Sequence, residues 1–248
     1  MVKRRWVLLR GLAREQGHWG GFVDLFKNHF PKDDVLCVDL PGTGLHLDKE
    51  SPRTISGIYQ QVRDEVMATD SSPISLMTVS LGSMVAMEWI KQNPNEVERC
   101  VMVNTSSKQS GPFFKRLRWQ VWGDFLKILM IQKPRDRERA VVEILMNSAE
   151  ARELALPIWT KVALERPVRR NNVFNQLMAA AMYEGFADQP KVPILLLCGL
   201  GDRFVDPANS ENLHKLWGAT CYRHPWGGHD LTWDDGQWVV SKIQEWTS

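Results

Sequence analysis

Short apolar runs recur along the chain with helical patterns between them, and this alternation restricts the possible folds more than any other feature. The runs are Trp6–Leu9, Val35–Val38, Ile74–Val79, Cys100–Val103, Ile194–Cys198 and Cys221–Arg223. Most are continuous, not alternately polar and apolar, as strands of a parallel sheet covered on both faces should be. Helical patterns near Trp19–His29, Ile55–Ala68, Leu81–Gln92, Pro207–Trp217 and Gly236–Trp246 separate or follow them. The alternation predicts an α/β fold with a doubly wound, mostly parallel sheet.

It stops between residues 106 and 185. No convincing strand pattern occurs there, and helices are expected at Phe113–Ile131, Arg137–Met146, Ala149–Glu165 and Val168–Tyr183, punctuated by Pro134, Pro157 and Pro167. An insertion of roughly 80 residues between two strands is far longer than an ordinary connection. The expected organisation is a core of residues 1–105 and 186–248 with a helical lid, residues 106–185. No internal repeat or low-complexity tract interrupts it.

Composition narrows the function classes. A chain of 248 residues, 44% apolar and 24% charged, is that of an ordinary globular protein able to bury a core. Its 31 basic and 29 acidic residues give a net charge of +2, too small to direct it to nucleic acid. Cys37, Cys100, Cys198 and Cys221 each lie in an apolar run and form no CxxC pair. They are expected as free thiols buried in strands, without zinc or thioredoxin-like chemistry, in a reducing compartment. The basic start Met1–Arg10 leads into an apolar run of only Trp6–Leu9, too short for a signal peptide. No stretch approaches membrane-spanning length, so a cytoplasmic protein without stable membrane insertion is expected.

Chemistry concentrates at three strand ends. The first is Thr78-Val79-Ser80-Leu81-Gly82, where a strand gives way to an amphipathic helix. On this motif alone Ser80 is either a helix N-cap or a nucleophile. The second is Gly199-Leu-Gly-Asp202, after the strand that follows the insertion; nearby Asp206 directly precedes Pro207 and a helix, which accounts for it as a cap. The third is Gly228-His229, after the last strand and before the C-terminal helix.

Together these segments resemble the α/β-hydrolases. The first resembles their nucleophile elbow, G-x-S-x-G, with Thr78 in place of the first glycine and so a more crowded turn. Ser80, Asp202 and His229 follow the family's Ser…Asp…His order, each at the C-terminal end of a strand. The resemblance implies that Ser80 is the nucleophile, His229 the general base and Asp202 its orienting acid. It also implies an oxyanion hole from the backbone N–H groups of Leu81 and Leu12. The loop after the first strand keeps Gly11, Leu12 and Trp19 but has Arg10 where histidine is usual. Arg10 is either a surface ion-pairing residue or a neighbour of the pocket that biases it towards acidic substrates. Asp39-Leu-Pro-Gly-Thr-Gly44 matches a family turn and gives Asp39 no catalytic role.

The closest overall resemblance is to small bacterial carboxylesterases, including the methyl esterase of biotin synthesis. It implies a serine hydrolase that cleaves small-molecule carboxylic esters through an acyl-enzyme, without metal or cofactor. A carbon–carbon bond hydrolase of the ring-cleavage type and a non-catalytic binding protein on the same fold are the alternatives. Trp19, Phe113, Trp122, Met146, Met178 and Met182 are the expected pocket residues, although such side chains can equally pack a lid onto a sheet. The basic, aromatic stretch Gly111–Trp122 suits contact with an acyl carrier or a membrane surface, or a solvated lid face. The oligomeric state stays open.

Overall fold

The computed structural model describes residues 3–248. Six strands form one sheet: β1 (Arg5–Leu9), β2 (Asp34–Val38), β3 (Ile74–Val79), β4 (Val97–Val103), β5 (Ile194–Gly199) and β6 (Thr220–His224). Their order is β2-β1-β3-β4-β5-β6, and every adjacent pair is parallel. Each expected strand falls inside an observed one.

The continuous apolar runs follow from burial on both faces. Successive side chains of a strand point to opposite sides. In β1, Val7 and Leu9 therefore join a cluster under α2 (Ile55–Thr69), α3 (Leu81–Gln92) and α9 (Ala208–Trp217). Trp6 and Leu8 join the opposite cluster, under α1 (Phe22–His29) and α11 (Gly236–Thr247). Each fully buried side chain of this size contributes about 1.5–3 kcal/mol. All four thiols are free, with Cys100 and Cys198 buried and Cys37 and Cys221 half-buried. Burial pushes Cys37 and Cys221 up to about 11 and Cys198 to about 12, and Cys100 higher still. At neutral pH they are protonated, and so poor nucleophiles.

Between β4 and β5 the described residues contain helices and no strand: α4 (Phe113–Arg116), α5 (Trp122–Met130), α6 (Pro134–Leu145), α7 (Ala149–Glu165) and α8 (Arg170–Met182). Residues of α5, α6 and α7, among them Ile128, Val142 and Trp159, form a small cluster of their own with Met146, which follows α6. A short helix, α10 (Leu231–Asp234), precedes α11.

Two expected helices are broken. The pattern at 19–29 divides into a 3-10 turn, Gln16–Trp19, and α1, because Gly20 takes a positive φ of 54° and ends the turn. The pattern at 113–131 divides into α4, a 3-10 turn at Trp119–Val121 and α5, since Arg118 is extended (φ −58°, ψ 128°). Amphipathic spacing persists across such breaks, so periodicity alone does not reveal them. Among the described residues no helix is long and apolar enough to cross a membrane.

Candidate active site

The loops leaving β1, β3, β5 and β6 meet at the C-terminal edge of the sheet, where open α/β sheets form their sites. Ser80 follows β3 directly with φ 55° and ψ −115°. This conformation costs a non-glycine residue about 1–3 kcal/mol and persists only where its surroundings enforce it. The enforcement is visible. Ser80 N–H donates to Val103 O at 2.9 Å, while Ser80 O accepts from Ser83 N–H at 3.0 Å and from the Thr105 hydroxyl at 3.2 Å. Gly82 is required by close approach, since a Cβ there would lie 2.7 Å from the carbonyl oxygens of Leu9 and Arg10. Thr78 tolerates the crowded elbow because its buried hydroxyl donates to Val101 O at 2.8 Å and meets Ser83 Oγ at 2.9 Å.

The N-cap alternative for Ser80 does not fit this arrangement. Its side chain makes no capping hydrogen bond with α3 and instead lines a cavity.

Asp202 and His229 are both buried and bonded to each other, with His229 Nδ1 donating to Asp202 Oδ2 at 2.7 Å. The other carboxylate oxygen, Oδ1, accepts from the N–H groups of Phe204 at 2.7 Å and Val205 at 2.9 Å. With three hydrogen bonds so made, the carboxylate is held in its orientation towards the imidazole. Holding the proton on Nδ1 leaves Nε2 as the acceptor, and the imidazole reaches the same cavity as Ser80. Phe204 packs on the imidazole with ring centroids 4.9 Å apart. Asp206 has the capping role, accepting from Ala208 N–H at 3.0 Å just before α9.

Leu81 is the first residue of α3, so its N–H has no partner within the helix. Leu12 lies in the turn after β1 and lines the cavity. Gly11 brings that turn close, since a Cβ on it would lie 3.2 Å from Ser80 Cβ. Ala13 N–H donates to Gln176 Oε1 at 2.8 Å, which holds the turn to α8. Neither Leu12 N–H nor Leu81 N–H has an acceptor among the described residues.

Arg10 is not on the surface. It is 3% exposed and pairs through both terminal nitrogens with Asp230, Nη1 lying 3.2 Å from Oδ1 and Nη2 bonding Oδ2. Thr232 Oγ1 lies 3.3 Å from Nη1, and the guanidinium sits 4.6 Å from the centroid of the Trp19 ring. Asp230 is the neighbour of His229, so the residue that replaces the usual histidine clamps the histidine loop to β1.

Three further polar residues hold these loops, and sequence reasoning misses them. Asn104, at the end of β4 with φ 48°, donates to the carbonyls of Gly228 and His229, each at 2.9 Å, and accepts from Gly199 N–H at 2.8 Å. It thereby joins the acid loop to the histidine loop. Asp234 accepts from Gly228 N–H at 2.6 Å and Asn147 N–H at 2.9 Å, and burial raises its carboxyl. His18 lines the cavity in a buried setting. Its burial, reinforced by the nearby charges of Arg14, Arg10 and Arg166, holds the imidazole well below its usual range. The only sequence signal for Asn104 is an asparagine at a strand end.

The cavity opens to solvent, and Phe125, Ile128, Val141, Ile144, Val162 and Phe204 supply much of its apolar wall. Of the expected pocket residues, Trp19, Trp122, Met146, Met178 and Met182 are not among those that line it. Trp19 is buried beneath Arg10, stacked on Phe22, and Met146 is buried within the α5–α7 cluster. Trp122 is 39% exposed and donates its indole N–H to Leu117 O at 3.1 Å. Met178 and Met182 are exposed on α8, and the Phe113 side chain lies outside the described residues. The error has a physical source. On α5, Phe125, Ile128 and Leu129 share one face by i, i+3, i+4 spacing and turn to the cavity, whereas Leu126 and Met130, also apolar, face out.

Known proteins share the fold of this chain. A family model described as α/β hydrolase fold matches residues 7–236. No curated protein is significantly similar in sequence. Among solved structures, an enol-lactonase from Burkholderia xenovorans LB400 superposes with a TM-score of 0.81 at 17% identity, covering 100% of this chain and 92% of the other. A hydrolase from Pseudomonas aeruginosa PA01 gives 0.81 at 17% identity, covering 99% and 90%. An esterase from Rhodococcus sp. ECU1013 gives 0.78 at 19% identity, covering 98% and 90%. At such identities the structural likeness is one of fold, while the family match spans most of the sequence. The chain belongs to the α/β hydrolase fold family.

Proposed function

We propose that the protein is a serine hydrolase that cleaves carboxylic esters through an acyl-enzyme on Ser80. One observation carries the reading: a serine held in a strained turn shares a cavity with an imidazole whose Nδ1 is bonded to a buried carboxylate. His229 Nε2 takes the Ser80 proton as Oγ attacks the acyl carbon, and Asp202 stabilises the imidazolium that forms. The N–H groups of Leu12 and Leu81 receive the developing oxyanion. Such donors contribute about 2.7–4 kcal/mol each where they have been removed singly. His229 then returns the proton to the leaving alcohol, and a water that it activates cleaves the acyl-enzyme.

The helical segment, residues 106–185, acts as the lid in this reading, its α5 and α6 residues supplying the wall against which an acyl chain packs. Buried free thiols support a reducing, cytoplasmic setting. A fluorophosphonate probe tests the core of the proposal. Wild type should label and the Ser80→Ala variant should not, and wild type should hydrolyse p-nitrophenyl esters. Absence of labelling would leave a binding protein on this fold. Labelling without hydrolysis of any ester would turn the assignment towards carbon–carbon bond cleavage.

A further inference from the structure

The cavity beside Ser80 is apolar along much of its wall but carries an unusual set of charges. Five arginines line it, Arg10, Arg14, Arg137, Arg166 and Arg170, against two acidic residues, Glu138 and Asp230. The carboxylates are already engaged. Asp230 is held by Arg10, and Glu138 accepts from Arg14 at 2.7 Å, with Arg137 Nε 3.7 Å from its other oxygen. Arg166 pairs with Glu15, which lies behind the cavity wall, at 3.0 Å. Arg170, at the first turn of α8, makes no hydrogen bond or ion pair among the described residues. Arg166 also lies 3.9 Å from Glu165, and counting Glu15 and Glu165 with the lining carboxylates leaves an excess of one positive charge.

Arg170 is exposed and Arg137 half-buried, so both can turn to an anion that enters the cavity, and a guanidinium without a full partner attracts one. The neighbouring imidazole reports the same field. His18 is kept neutral first by burial and then by Arg14, Arg10 and Arg166. Ser80 and His229 come from the sheet, whereas Arg137, Arg166 and Arg170 hang from α6 and from the α7–α8 connection above it. A ligand that spans the cavity therefore meets the nucleophile on one side and guanidinium groups on the other.

We infer that Arg137 and Arg170, with Arg14 and Arg166 behind them, bind a carboxylate of the substrate, so that the preferred substrates are anionic esters such as half-esters of dicarboxylic acids. This deepens the esterase reading and rests on it. Guanidinium groups suit the role because their planar fork matches a carboxylate and stays charged at any working pH.

The test separates binding from chemistry. Monomethyl esters of linear dicarboxylic acids, from succinate to sebacate, are compared with methyl esters of monocarboxylic acids of equal chain length. On the Ser80→Ala protein, titration calorimetry should find the best anionic ester bound about tenfold more tightly than its neutral match. The preference should disappear in the Arg137→Gln/Arg170→Gln protein and should survive Arg139→Gln, an exposed arginine of α6 outside the cavity. Wild-type kcat/KM should show the same preference. If the paired variant fails to fold, Arg170→Gln alone should weaken the preference by a measurable part. Equal binding of both ester types overturns the inference, as does a preference that persists without Arg137 and Arg170. A binding preference with no hydrolysis of any ester would sustain the anion site and overturn the esterase reading instead.

Discussion

The sheet and the helical segment between β4 and β5 are held by different forces. In the sheet, strands are apolar on both faces, and helices cover them with aliphatic and aromatic side chains. The helical segment is tied down largely by polar side chains. On α8, Asn172 donates to Gly42 O and Lys49 O and accepts from Ser51 N–H, Asn175 donates to Ser51 O, and Gln176 joins Pro41 O to Ala13 N–H. Arg166 and Arg14 add ion pairs from the same side. Burial of apolar area is non-directional, whereas an amide bonded to named backbone groups fixes one register. The sheet thus supplies a rigid edge for Ser80, Asp202 and His229. The helical segment is fastened at discrete points, and its inner surface decides what the edge meets.

Breaking the first region should affect chemistry most. Asp202→Asn keeps the fold but removes the acceptor for His229 Nδ1–H, and kcat on a p-nitrophenyl ester should fall about 10⁴-fold. Retention of more than a tenth of the activity would remove Asp202 from the proposed triad. Next comes the clamp between β1 and the histidine loop. Arg10→Met strands a buried Asp230, and unfolding in urea should register a loss of about 3–5 kcal/mol. The paired change Arg10→Met/Asp230→Leu should recover most of it, because both charges then leave the interior together. A paired variant no better than the single one would mean that Arg10 acts through packing on Trp19.

The tether of the second region is weaker. Asn172→Ala leaves Ser51 N–H and two carbonyls without their partner, at a cost of about 1–3 kcal/mol. Amide hydrogen exchange should quicken along α8 and stay unchanged in β3 and β4. Uniform acceleration would show that the two regions open as one unit.

The smallest effect is a pH slope. His18 is held neutral in the folded protein, so below about pH 6.5 only the unfolded chain takes up its proton. Stability from this group is present above that pH and declines as pH falls through it, by up to about 1.4 kcal/mol per pH unit. In His18→Phe the decline of stability between neutral and mildly acidic pH should be shallower. An unchanged slope would assign the acid sensitivity to carboxylates elsewhere.

Much of the sheet is legible in the sequence because a strand covered on both faces must be continuously apolar, and most of the six runs carry that mark. The strand-end segments around Ser80, Asp202 and His229 are legible for a related reason: tight turns demand particular residues locally, such as Gly82 against the Leu9 and Arg10 carbonyls. Helix interruptions at Gly20 and Arg118 are less legible, since amphipathic spacing continues through them.

Ser80 in its elbow and the alternation of strand and helix are properties of short stretches, and the sequence by itself determined them. Tertiary structure alone decided that Arg10 is buried against Asp230, that Asn104 joins two distant loops, and that Phe125 and Ile128 rather than Trp19 and Met146 line the cavity. Apolar character says that a side chain leaves water, and a charge says that it wants a partner. Which void the one borders and which partner the other finds depend on residues far away in the chain, and those come together only when the sheet and the helical segment close on each other.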